Sequence, residues 1–165
     1  RRQKLHHNAE VSAMKDVPEF IEKAEDIYGY KHFINDAGGS VCELDSLEVL
    51  ETLAQHTLII YIKIPPALEQ TIIERAKTDP KPLYYREEFL EAKLAEFMAL
   101  KGYATPCQIP PDEFVTWVFP ELFKSRIPRY QAIADQYGYT LDANDASHVE
   151  NEADFIGLVA QALGN

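Results

Sequence analysis

The stretch Phe33-Ile34-Asn35-Asp36-Ala37-Gly38-Gly39-Ser40 gathers the residue types most able to do chemistry. Asp36 ends a short apolar run. An acid at the carboxyl end of a strand can hold Mg²⁺ through water or orient a nucleophile, because α/β ligands bind outside those strand ends. Gly38 and Gly39 have no side chains, so a ligand can approach their backbone N–H groups where a helix begins. The competing reading is mechanical: Asp36 caps a turn, and the glycines supply positive φ. Other reactive types point less far. His6 and His7 are adjacent, cannot both face one ion from a helix or a strand, and read as solvent-exposed. Cys42 and Cys107 form no CxxC pair, so no disulfide framework or zinc knuckle is implied. They read as small buried or half-buried thiols.

Composition sets the setting for this stretch. The chain has 165 residues, which suits one domain with its own core over residues 1–165. Hydrophobic residues make up 46% and charged residues 26%, ordinary for a globular protein. The net charge of −11 argues against a non-specific nucleic-acid surface, since Lys and Arg carry phosphate affinity. It leaves room for a local basic pocket for ATP or another small anion. No apolar run reaches the roughly 20 residues that cross a bilayer. Arg1 to His7 is basic, but no apolar segment follows as in a signal peptide. The expected setting is a reducing cytoplasm, with no membrane or nucleic-acid partner. Oligomeric state is not indicated.

The elements that position the stretch follow from periodicity. Arg1 to Met14 shows only weak periodicity. Asp16-Val17-Pro18-Glu19 starts a helix with a capping-box spacing, and Gly29 ends it in a left-handed cap. Tyr30 to Asp36 reads as a buried strand. Val41 to Leu44, then Leu47, Leu50 and Leu53, carry a helical period, with Asp45 or Ser46 able to restart the helix. Thr57 to Ile64 is continuously apolar and β-branched, as in a central strand covered on both faces. Helices are expected over about 67–77, 87–101, 112–119, 120–137 and 150–163, with a short strand over 139–143. Phe114, Trp117, Phe119 and Phe123 fall at helical spacing, which favours core over pocket. Residues from about 78 to 120 form a helical, lid-like insertion. The alternation of strands and helices predicts an α/β fold: a three-layer, mostly parallel sheet with helices on both faces.

Several motifs, in order, give the chain a family likeness. Phe33 to Asp36, Gly38-Gly39-Ser40, Leu47/Leu50/Leu53 and Ile59-Ile60-Tyr61-Ile62 before Pro65 are followed by Glu74-Arg75 and Lys81-Pro82-Leu83. Arg126-Ile127-Pro128-Arg129-Tyr130, Ile133-Ala134-Asp135 and the strand from Tyr139 complete the series. The series resembles shikimate kinase and related small-molecule P-loop kinases. The resemblance implies ATP and Mg²⁺ as cofactors and Asp36 as catalytic and metal-associated. It makes Gly38, Gly39, Arg126 and Arg129 the acceptor-binding residues, with Arg126 forking onto a carboxylate or phosphate. The alternative for Arg126 is an ion pair with Glu121 or Asp135. Arg75, Lys81 and Arg86 would be lid cations near the nucleotide, and Asn144 would lie at the adenine edge by analogy of fold.

The chain departs from that family in three respects. No G-x-x-x-x-G-K-[ST] occurs in it, so no backbone nest and lysine hold the β- and γ-phosphates. On the resemblance, the chain begins inside a P-loop domain whose first strand, phosphate loop and first helix are absent. Lys81 stands where the family carries an arginine, giving a point charge in place of a planar fork. The segment Arg86 to Lys124 is longer and more aromatic than the family's lid. Two functions are therefore expected. One is the C-terminal portion of an ATP-dependent phosphotransferase or ATPase, inactive without its phosphate loop. The other is a degenerate, non-catalytic domain that binds a protein partner or a nucleotide for regulation.

Overall fold

The computed structural model describes residues 2–37 and 41–164. It is 70% helical, with a sheet of only two strands. The elements are α1 (Arg2–Lys15), α2 (Val17–Tyr28), a 3-10 turn at Val41–Glu43, α3 (Leu47–His56), β1 (Ile59–Lys63) and α4 (Pro66–Thr78). Then come α5 (Glu87–Lys101), a 3-10 turn at Pro106–Gln108, α6 (Pro111–Tyr137), β2 (Gly138–Asp142), α7 (Ala143–Ala146) and α8 (Glu152–Ala162). The expected three-layer α/β sheet is not present. β1 and β2 run parallel, in register from Ile59 opposite Gly138 to Lys63 opposite Asp142.

The strand expected over Tyr30 to Asp36 is the main loss. Residues 30 and 32–37 have no regular structure, and residue 31 is a bend. Phe33 and Ile34 are exposed, Ile34 by 80%. A strand needs a neighbour to pair its backbone groups, and this run pairs with neither β1 nor β2. β1 keeps its expected place in sequence but not its full cover: Ile62 is 49% exposed.

Two hydrophobic clusters hold the chain. The first joins Met14, Val17, Leu44, Val49 and Leu53, with Val11, Ile21, Ala37, Val41 and Ile59 against it. Here α1 contributes a helix that hydrophobic periodicity did not reveal. Its inward positions Gln3, His7, Val11 and Met14 lie three or four residues apart, but two of the four are polar. α1 leads straight into α2 with Asp16 in helical geometry, φ −82° and ψ −5°. Asp16 makes no side-chain cap because no helix end is open there. Gly29 does end α2 in the left-handed region, at φ +66°. Ser46 caps α3, its hydroxyl accepting from the Val49 N–H at 3.3 Å.

The second cluster is aromatic and belongs to α5 and the first half of α6. Tyr85, Phe97, Phe114, Val118 and Leu122 are buried, with Trp117 packed against them. Phe97 meets Phe114 edge to face at 5.5 Å. The two helices expected either side of Pro120 are one 27-residue helix that contains both Pro120 and Pro128. Each proline removes one backbone bond, and burial of Phe114, Val118, Leu122 and Ala134 along the same helix offsets the loss. At the end of α6, Gly138 is needed for closeness rather than for φ. A Cβ there would lie 2.2 Å from the Ile59 carbonyl oxygen across the sheet.

Candidate functional site

Between the two clusters, α6 presents Arg126 and Arg129 on one face, three residues apart. Both point at Glu43 in the 3-10 turn. Arg126 Nε–H donates to Glu43 Oε1 at 2.8 Å, and Arg129 Nη1–H donates to Oε2 at 2.8 Å. The Glu43 side chain is only 1% exposed. Arg86, the residue before α5, approaches Oε2 at 4.0 Å and pairs closely with Asp45. The second guanidinium nitrogen of Arg126, Nη2, donates to the Tyr84 carbonyl at 2.7 Å. Three arginines from two distant segments thus surround one buried carboxylate.

The walls of this cluster are aromatic and polar. Tyr130 stacks on Tyr61 of β1 at 5.6 Å and is hydrogen-bonded to the Cys42 thiol. Burial pushes the Cys42 thiol above its ordinary range, although Arg126 and Arg129 pull it down. Burial, more than its neighbour Cys42, pushes the Tyr130 phenol upward. Both groups are therefore neutral near pH 7, and neither is an activated nucleophile. On the other side, Tyr84 is held from two directions. His7 Nδ1 and the Tyr84 hydroxyl are 2.7 Å apart. The Gln3 amide brackets the same segment: it donates to the Leu83 carbonyl at 3.1 Å and accepts from the Tyr85 N–H at 3.1 Å. His7 is half-buried here, against the expectation of exposure.

Of the residues singled out in the sequence, the fold brings Arg86, Arg126 and Arg129 together. Neither Glu121 nor Asp135 is the partner of Arg126; Glu121 pairs with Lys93, and Asp135 accepts from Gln131. Arg75 is exposed on the last turn of α4. Lys81 is exposed and pairs with Asp79 at 3.3 Å. Asn144 is exposed in the first turn of α7, its N–H donating to Asp142 Oδ1. Among the described residues, no ion pair or hydrogen bond joins Arg75, Lys81 or Asn144 to the arginine cluster. Asp36 is exposed on the irregular run and ends no strand. Gly38 and Gly39 lie outside the described residues. No group of three His, Cys, Asp or Glu placed to hold a metal occurs among the described residues.

Glu43, Asp45 and Tyr84 were missed. A signal for Glu43 was present: an acid inside the apolar run Val41-Cys42-Glu43-Leu44 must find a cation if the run is buried. Arg126 and Arg129, on one helix face, were the matching pair. Of the aromatic residues of α6, Phe114 is core as expected; Trp117 is half-buried against the same cluster and lines an open cavity beside Lys101 and Glu113, and the half-buried Phe119 and Phe123 stack on each other at 5.9 Å. Among the described residues, no helix is long and apolar enough to cross a membrane. Comparison of the chain with protein-family models, curated proteins and solved structures finds no match.

Proposed function

We propose that the chain holds the anionic group of a small molecule at the Arg86–Arg126–Arg129 cluster. We place that cluster on the acceptor side of an ATP-dependent phosphotransferase. One observation supports the reading above others: three guanidiniums converge on a partly open site, anchored from below by Glu43. Fixed guanidinium planes bind carboxylate or phosphate without first having to be ordered, which is how a protein positions an acceptor for phosphoryl transfer. The order of kinase-like motifs around Arg126 and Arg129 adds to this; the helical architecture adds nothing. The described residues do not form a nucleotide cradle, because Arg75, Lys81 and Asn144 are dispersed and Arg86 is drawn into the anion cluster. Cys42 and Cys107 are both free thiols, which agrees with a cytoplasmic setting.

The reading is tested by screening small carboxylated and phosphorylated hydroxy compounds against the protein by ligand-observed NMR. A binder lost in Arg86→Gln, which breaks the exposed pair with Asp45 and leaves both 2.8 Å bonds to Glu43, with melting temperature retained, supports it. Binding that ignores substitution at both Arg129 and Arg86 overturns it. Consumption of ATP that depends on the bound anion separates a phosphotransferase from a non-catalytic regulatory domain with the same anion site.

A further inference from the structure

We propose that Asp45 is a displaceable internal anion, and that its carboxylate stands where the dianionic phosphate of a small phosphate monoester binds to Arg86 and Arg129. This rests on the acceptor-site reading above and names its ligand class. The two carboxylates of the cluster differ in kind. Glu43 is buried and holds two guanidiniums at 2.8 Å, so opening it would strand buried charge. Asp45 is 61% exposed in its side chain and holds one arginine from the solvent side. An exposed pair of this sort contributes little and exchanges readily.

The backbone singles out the same residue. Asp45 has φ +49°, and it is the only non-glycine residue with positive φ among the described residues. Aspartate and asparagine adopt this region more readily than other non-glycine residues, and it collects at turns and where ligands bind. Charge then selects the ligand. Arg86, Arg126 and Arg129 face Glu43, and Arg86 alone also pairs with Asp45, so the cluster carries one net positive charge. With Asp45 turned into water, two positive charges remain over Glu43. A dianion balances them and a monocarboxylate does not. A phosphate monoester is largely dianionic above its second pKa of about 6 and accepts the forked donors of arginine.

The test compares wild type, Asp45→Asn and Asp45→Asn/Arg86→Gln at pH 8 and constant ionic strength. Inorganic phosphate is the probe, followed by ³¹P line width, with sulfate and acetate as competitors. Asparagine tolerates the left-handed conformation, so this variant removes charge and little else. Asp45→Gly, which suits that φ fully, serves as a second variant. Both should bind phosphate about tenfold more tightly than wild type, the effect expected of one nearby unit charge. Adding Arg86→Gln should return the affinity to the wild-type level or below. Sulfate should compete, and acetate should not. Equal phosphate affinity in wild type and both Asp45 variants overturns the internal anion, yet spares the acceptor site if Arg86→Gln still abolishes binding. Carboxylate binding without phosphate binding overturns the dianion assignment alone. Failure of every anion to bind any of the proteins overturns both.

Discussion

Glu43 joins the 3-10 turn to α6 through two charge-assisted bonds, and a pair of this kind is damaged most by removing one side. Glu43→Gln keeps the volume but leaves the Arg126 and Arg129 guanidiniums without their counter-charge. It should cost about 3 kcal/mol in urea unfolding. Tyr85 is the opposite case. Its hydroxyl is buried without a hydrogen-bond partner, so the polar atom is a net cost. Tyr85→Phe should raise stability at pH 7 by about 1 kcal/mol. It should also change the alkaline limb. Burial pushes the Tyr85 phenol from its ordinary value near 10 up to about 12, against a small opposing pull from Arg126. The folded state therefore keeps this proton longer than the unfolded chain. The stability so contributed is present below pH 10 and disappears as pH rises toward 12, by roughly 3 kcal/mol in all. Urea melts between pH 9 and 12 should show a shallower loss in the phenylalanine variant. Part of the loss should remain, because Tyr130 and Cys42 are also shifted upward by burial.

At the scale of elements, α1 and α6 do different work from that implied by their hydrophobic patterns. α1 is a clamp whose polar residues meet the Leu83–Tyr85 segment, and that segment also receives Arg126. Gln3→Ala should accelerate hydrogen exchange at the Tyr85 amide severalfold, the amount expected from one lost bond of about 1 kcal/mol. Exchange in α3, remote from this contact, should be unchanged. α6 is a spine that passes from the aromatic cluster through the arginines to β2. Its two prolines suggest two helices, and the continuous helix exists because both ends are buried against separate partners.

For the whole molecule, the consequence is a chain with two apolar clusters joined by a polar centre. Phe97 is fully buried in the aromatic cluster. Phe97→Ala should cost about 3–5 kcal/mol by cavity formation. If the clusters open separately, hydrogen exchange should lose protection in α5 and the first half of α6 while α1 to α3 keep theirs. Parallel loss in all of these helices would mean that the Glu43 centre couples them into one cooperative unit.

The sequence by itself determined the local elements: α2 with its Gly29 end, α3, β1, α4, α5 and β2 all follow from period, caps and glycine placement. It also singled out Arg126 and Arg129, which the fold brings onto Glu43, and Phe114 as core. Tertiary structure alone decided what those elements face. Pairing of Tyr30–Asp36 depends on a neighbouring strand, which no local pattern supplies, so one of the three expected strands is absent and the three-layer sheet with it. α1 escaped because its docking face is half polar, and a hydrophobic period cannot register hydrogen bonds made to a segment 80 residues away. The arginine cluster was legible as charges but not as a site. Its centre, Glu43, lies 83 residues from Arg126, and burial of a charge is a property of the assembled fold.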